Sequence, residues 1–239
     1  MIRALANAAI SVLLAPYCAC CGAALATPAG GAVCDACWSA VPTTVPPLCD
    51  LCGDALPSWR QLDLTRRCNR CRRTGRVISL GRSIGPYEGV LRDMLHALKY
   101  ERRQSLARPL AGLMRCAGAE ALQGADLVVP VPLHLFRLYA RGFNQADALA
   151  RHLGLPVVNA LRRTRRTVTQ TDLPEGERHA NVRGAFALRR AVPANGVVVV
   201  VDDVSTTGAT LDACAAVLIE AGVREVRGLT AARAAARLP

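Results

Sequence analysis

Asp202 and Asp203 stand side by side, and Ser205, Thr206, Thr207, Gly208, Ala209 and Thr210 follow them closely. Backbone N–H groups at the start of a helix have no intrahelical partner, and with the helix dipole they form a ready anion site. Gly208 lets a backbone approach closely, and threonine hydroxyls add donors to phosphate oxygens. The carboxylates repel such an anion. They suit hydroxyl donors or a divalent cation, so the whole set fits a phosphorylated sugar, as on a ribose with a phosphate at one end. The plainer alternative is capping, since Ser and Thr before a helix usually serve only as N-caps. That accounts for one such residue and not for the acid pair with its hydroxyl-rich follower. A glycine-rich loop ending in Gly-Lys-Ser/Thr is absent, which excludes an ordinary P-loop.

The elements that must position these groups follow from their flanks. Val197–Val201 is apolar and β-branched throughout and too short for a typical helix, so it reads as a central parallel strand buried on both faces. A helical pattern runs from about Leu211 to Ala221. The acids thus lie where a strand ends, the edge at which open α/β sheets place ligands. A second buried strand is expected over Asp126–Pro132. Its end, Val131 and Pro132, makes a turn with Leu133 and His134, and a helix that carries Arg141 continues to about Leu153. Arg141 offers paired guanidinium donors to phosphate oxygens. His134 is open between a base, a phosphate contact and a surface residue. Further strands are expected over Val77–Tyr87, Leu155–Leu161, Arg183–Leu188 and Val226–Thr230, and helices over Val90–Leu98 and Ser105–Leu122. Arg162–Asn181 is polar and basic and reads as a long loop or ribbon, and loops of that length are commonly lids or disordered.

Cysteines organise the other end. Cys18 and Cys21 form a C-x-x-C pair with Gly22 behind it, and Cys34 and Cys37 form another; Cys49, Cys52 and Gly53, then Cys68 and Cys71, repeat the arrangement. Each quartet supplies four thiolates, enough for a closed tetrahedral zinc site. Such a site has no open position for water, so hydrolytic metal chemistry is not expected there. A disulfide framework is the competing reading, disfavoured by the identical local spacing and by the lack of a convincing signal peptide. Cys20 reads as a spare thiol or as an exchange partner for Cys21, and Cys116 and Cys214 as core residues. Arg66, Arg67, Arg70, Arg72, Arg73 and Arg76 punctuate the second quartet, either to meet phosphates or to keep the module soluble.

The chain has 239 residues, of which 51% are hydrophobic, and a formal charge of +12, a balance that favours polyanionic partners. Lys99 is its sole lysine, every other basic residue being arginine. Residues 1–15 hold a short apolar run too brief to span a membrane; Ile2, Leu5, Ala9, Val12 and Leu13 fall near helical spacing, which favours an amphipathic packing helix over a signal peptide. The expected division is residues 1–76 as helix and zinc ribbons and 77–239 as an α/β domain.

Asp202-Asp203-Val204-Ser205-Thr206-Thr207-Gly208-Ala209-Thr210 resembles the signature of type I phosphoribosyltransferases. With the two cysteine quartets, Lys99-Tyr100, Val131-Pro132, Arg141-Gly142-Phe143-Asn144-Gln145, Gln170, Leu173, Arg178, Asn181 and Phe186, nearly the full chain resembles the ComF family. The resemblance implies a phosphoribosyltransferase-like parallel sheet flanked by helices, with an N-terminal double zinc ribbon holding two structural zinc ions. It implies that Asp202 and Asp203 hold the ribose hydroxyls of phosphoribosyl pyrophosphate with magnesium, that Ser205–Thr210 cradles the 5′-phosphate, and that Val131–His134 with Arg141 meets pyrophosphate. Gln170, Arg178 and Asn181 are lid candidates. The family further implies a cytosolic protein of natural competence and DNA uptake, with the uptake machinery as a partner. The reaction would be phosphoribosyl transfer to an unidentified acceptor. The competing reading is a non-catalytic accessory protein that binds single-stranded or branched DNA through the ribbons and basic surface, its pocket sensing a phosphoribosyl ligand or a DNA 5′-phosphate.

Overall fold

The side chains of the valine run divide between two cores, which is why the run is apolar without alternation. In the computed structural model, which describes residues 16–57, 66–165, 182 and 184–234, Val199 and Val201 pack into one cluster and Val198 and Val200 into the other. The run belongs to β5 (Val197–Ser205), one member of a four-stranded sheet with β1 (Gly81–Pro86), β2 (Leu127–Pro130) and β6 (Glu225–Arg233). The order is β1-β6-β5-β2 and every pairing is parallel. Parallel strands need crossovers, and helices supply them on both faces.

On one face lie α3 (Gly89–Tyr100), α4 (Ala107–Ala117) and α7 (Gln145–Ala150), burying Leu91, Met94, Leu95, Leu98, Leu110, Met114 and Leu149. The other face is covered by α8 (Ala209–Glu220) through Leu211, Cys214, Ala215 and Leu218, together with β3 (Leu161–Arg163) and β4 (Phe186–Leu188), an antiparallel pair outside the main sheet.

Several expected elements divide or move. The helix expected over Ser105–Leu122 is broken after α4 by Gly118, and α5 (Ala119–Leu122) follows. The helix expected to reach Leu153 breaks at Gly142, whose φ of 78° ends α6 (Leu135–Arg141) before α7 begins. Leu155–Leu161 is not a strand: it makes a single parallel bridge, Val157 to Val128, and regular pairing starts only at Leu161. Two residues assigned to the long loop, Arg162 and Arg163, are therefore the outgoing leg of a ribbon that returns as β4. Gln170, Arg178 and Asn181, and the N-terminal helix expected over residues 1–15, lie outside the described residues.

The cysteine quartets fold as a repeat. In each, an antiparallel bridge (Tyr17 to Ala24; Leu48 to Ala55) closes a turn whose glycine has positive φ, 72° at Gly22 and 73° at Gly53. The second pair of each quartet opens a one-turn helix, Cys34 before α1 (Asp35–Ser39) and Cys68 before α2 (Asn69–Arg73). The repeats lie against edge strand β1. The Thr44 N–H donates to the Ile84 carbonyl at 3.0 Å, and Arg82 reaches Glu120 and the Cys49 and Asp50 carbonyls. An exposed strand edge is a liability for association, and this docking covers one.

Candidate functional site

The sheet places the acid pair and the second turn together. Val131 N–H donates to the Val201 carbonyl at 2.9 Å, so the turn Val131–His134 leaves β2 beside the point where β5 delivers Asp202 and Asp203. Asn144 Nδ2 donates to the Val131 carbonyl at 3.0 Å and its Oδ1 accepts from Ala146 N–H, so one side chain braces the turn and caps α7.

Asp202 and Asp203 are both half-buried. Lys99, from the last turn of α3, meets Asp203 at 3.1 Å, with its ammonium 5.8 Å from the Tyr87 ring centroid. Burial opposes the ammonium's charge, yet the carboxylate of Asp203 and its hydrogen bond hold Lys99 protonated above its usual range. One ammonium does not balance two carboxylates. Burial first, and then the Asp203 charge, push the Asp202 carboxyl up to about 7. Arg163 contributes positive potential from β3, its guanidinium 5.3 Å from the Phe186 ring centroid; burial and the nearby Arg137 weaken its hold on its proton. Burial, reinforced by Asp202, keeps the Cys214 thiol neutral.

The turn after the acids is held from behind. Arg76, 2% exposed, pairs with Asp212 at 2.7 Å and donates to the Thr207 carbonyl at 3.0 Å and the Gly208 carbonyl at 3.5 Å. Asp212 Oδ1 in turn accepts from Val77 and Ile78 N–H groups. With its carbonyls turned towards Arg76, the turn directs its opposite side away from the core. Gly208 has φ 85°, and a Cβ there would collide with the Arg76 guanidinium, so conformation and space both require glycine. Thr207 Oγ1 accepts from Ala209 N–H across Gly208, which is itself the N-cap of α8, so no Ser or Thr side chain fills the capping position that the plainer reading assigned. Ser205 is buried, and its Oγ accepts from Arg233 at 3.3 Å while Arg233 forms an ion pair with Asp54 of the second ribbon. Thr206 and Thr210 are the half-buried hydroxyls of the turn.

His134 caps α6, its Nδ1 accepting from Phe136 N–H at 3.4 Å, and its ring stacks on Phe136. Arg141 donates to Gln145 at 3.0 Å and lies 5.3 Å from the Tyr100 ring centroid. Both sit on the rim beyond Val131–Leu133. The arginines of the second ribbon divide: Arg66, Arg67, Arg72 and Arg73 are exposed, whereas Arg70 pairs with Asp54 at 2.7 Å and Arg76 is the buried brace just described. Lys99, Arg163 and Arg76 were missed as site residues. Lys99 carried a signal, being the single lysine in an arginine-rich chain; the other two are arginines among many, and only the fold distinguishes them.

In each quartet the four sulfur atoms lie within 4.8 Å of one another, with Cys18–Cys37 at 3.8 Å, Cys21–Cys34 at 3.7 Å and Cys52–Cys68 at 3.6 Å. A tetrahedron with zinc–sulfur bonds of about 2.3 Å has edges of about 3.8 Å, so both sets fit zinc. Backbone N–H groups of Cys20 and Cys34 point at the Cys18 sulfur, and that of Cys68 at Cys49, as charged thiolates require. Cys20 offers its backbone, not its sulfur, to this site, and Cys116, expected in the core, is exposed, while Cys214 is buried as expected.

A helix-flanked parallel sheet with an acid pair at a strand end, carrying a paired cysteine module on its edge, defines the class. The double zinc ribbon domain family matches residues 9–76 and the phosphoribosyl transferase domain family residues 132–238. Over 202 residues the chain is 33% identical to competence protein F of Haemophilus influenzae, covering 79% of this chain and 85% of that protein. It is 33% identical over 205 residues to DNA utilization protein YhgH of Escherichia coli, covering 82% and 87% respectively. Competence protein ComFC of Streptococcus pneumoniae is 25% identical over 183 residues, covering 74% and 80%. The chain belongs to the ComF family.

Proposed function

We propose that the chain binds phosphoribosyl pyrophosphate with magnesium and transfers its phosphoribosyl group to a nitrogen acceptor. The observation that carries this reading is the adjacent acid pair at the end of β5: Lys99 pairs with Asp203 at 3.1 Å, and burial first, then the Asp203 charge, push Asp202 up to about 7. A divalent cation and ribose hydroxyls, which accept and donate where the carboxylates need partners, relieve that imbalance. Magnesium, when bound, neutralises charge on the pyrophosphate and the acids.

The residues then have distinct tasks. Asp202 and Asp203 hold the ribose hydroxyls and stabilise positive charge that develops at the anomeric carbon. The turn Ser205–Thr210 receives the 5′-phosphate, with Thr206 and Thr210 supplying hydroxyls, while Ser205 and Thr207 shape the turn from within. Val131–His134 with Arg141 faces the leaving pyrophosphate, and Arg163 adds positive potential beside Asp202. Gln170, Arg178 and Asn181 act as the lid. The relatives' names, competence protein and DNA utilization protein, support a role in DNA uptake or handling. Among the described residues no helix is long and apolar enough to cross a membrane.

Calorimetric titration of zinc-loaded protein with phosphoribosyl pyrophosphate and magnesium tests the reading, with Asp202→Asn/Asp203→Asn alongside. Saturable binding by the wild type that the variant loses is expected. A folded wild type that does not bind refutes the transferase reading and leaves the pocket as a receptor for another phosphate ligand.

A further inference from the structure

Helix α6 turns large apolar side chains towards solvent at the rim of the site. Tyr139 is 91% exposed, Leu135 75% and Phe136 72%, and Tyr100, from the adjoining end of α3, is 61% exposed. A protein surface seldom gathers so much apolar area without a partner. The ring component has a particular order. His134 and Phe136 are parallel within 1°, Phe136 and Tyr139 stand three residues apart on one side of the helix, and Arg141 lies over Tyr100. No acidic residue occurs between Val131 and Arg141, while Arg137 and Arg141 lie on α6 and Arg102 reaches the Ala140 carbonyl at 3.4 Å from beyond α3.

Exposed rings with interleaved guanidinium groups, beside a Glu101 carboxylate that Arg103 already pairs at 3.6 Å, match one polymer in particular. We infer that α6 and the end of α3 form a binding platform for single-stranded nucleic acid, with bases stacked on Phe136 and Tyr139 and phosphates met by Arg102 and Arg137. Every base presents a π-face, so such a platform is tolerant of sequence, and a duplex, whose bases are already stacked on one another, gains little from it. The platform is distinct from the ribbon arginines. Its position gives it a use: Tyr100 follows Lys99, which holds Asp203, so the platform adjoins the acid pair.

Fluorescence anisotropy of a labelled oligothymidylate, titrated with the full zinc-loaded chain at several salt concentrations, tests it. Phe136→Ala/Tyr139→Ala should weaken binding roughly ten- to a hundredfold, the order that base–ring stacking supplies, with the slope against salt unchanged because no phosphate contact is lost. Arg102→Gln/Arg137→Gln should reduce that slope, and a duplex of the same sequence should bind more weakly than the single strand. Three results overturn the inference: undiminished binding by the ring variant; loss of binding only on Arg67→Glu/Arg72→Glu in the ribbon; or self-association of the wild type that the ring variant abolishes, which assigns the surface to a second copy. Unchanged thermal unfolding shows that the variants are folded, and titration with phosphoribosyl pyrophosphate and magnesium reports the pocket separately.

Discussion

Replacing Asp202 with asparagine should make the ligand-free protein more stable while removing its affinity for a magnesium–phosphoribosyl ligand. The side-chain amide keeps the oxygen acceptor that the Asp203 N–H uses at 2.9 Å, so the perturbation is confined to charge. Burial and Asp203 raise the carboxyl of Asp202 from 3.8 to about 7. A group whose pKa is raised by folding contributes fully below its unfolded value, and that contribution is lost as the pH rises through the folded value. A rise of that size corresponds to about 4 kcal/mol, and water at the pocket mouth, where Asp202 is half-buried, reduces this to about 1–3 kcal/mol. The amide never ionises and so escapes the loss. Urea unfolding of zinc-loaded, ligand-free protein should therefore show a stability gap in favour of Asp202→Asn that widens between about pH 4 and about pH 7 and levels off above. A variant equal to or less stable than the wild type at the upper pH, or a gap that ignores pH, would refute the reasoning. Ligand affinity in the wild type should rise as the pH passes through about 7 and the carboxylate forms.

Other consequences can be checked with the same two assays. Lys99→Met leaves the Asp203 carboxylate without its ammonium and should cost about 3–5 kcal/mol; the onset of ligand binding should also move to higher pH, since Lys99 holds the Asp202 carboxyl down, and an unmoved profile would dismiss the coupling. Gly208→Ala should cost about 1–3 kcal/mol for the left-handed backbone, with a further loss from displacing Arg76. Gly222→Ala, at φ 94° with nothing within 4 Å of the new methyl, measures the backbone part alone, and equal costs at the two sites would contradict the brace. Cys52→Ser, which opens the second quartet two residues before Asp54, should weaken phosphate-ligand affinity through Arg233 and Ser205, whereas Cys21→Ser should not.

Much of this architecture was legible in the residues because the signals were redundant. Five valines between two cores leave no other reading, and cysteines at matching spacing with glycine behind them specify a turn, a metal and a repeat at once. Lengths were less legible. Gly142 and Gly118 end helices within runs of suitable hydrophobic period, and nothing local distinguishes a breaking glycine from a tolerated one. Leu155–Leu161 has the composition of a strand, but β2 takes up only Val157 from it. Within the site, the acids and the turn were visible as neighbours in sequence. The site roles of Arg76 and Arg163 were not, because they depend on tertiary approach and arginine in an arginine-rich chain carries no local mark; Lys99 stood out as the sole lysine, but its pairing with Asp203 is visible only in the fold.

The sole lysine has a practical meaning. A reagent that acylates amines finds a single side-chain target in this chain, and that target is clamped in the pocket against Asp203. Its modification rate is therefore a native gauge of the site, low while the ion pair holds and higher when it opens. An occupant of the acid pair can be followed by labelling and mass measurement, without introducing a dye or altering a residue.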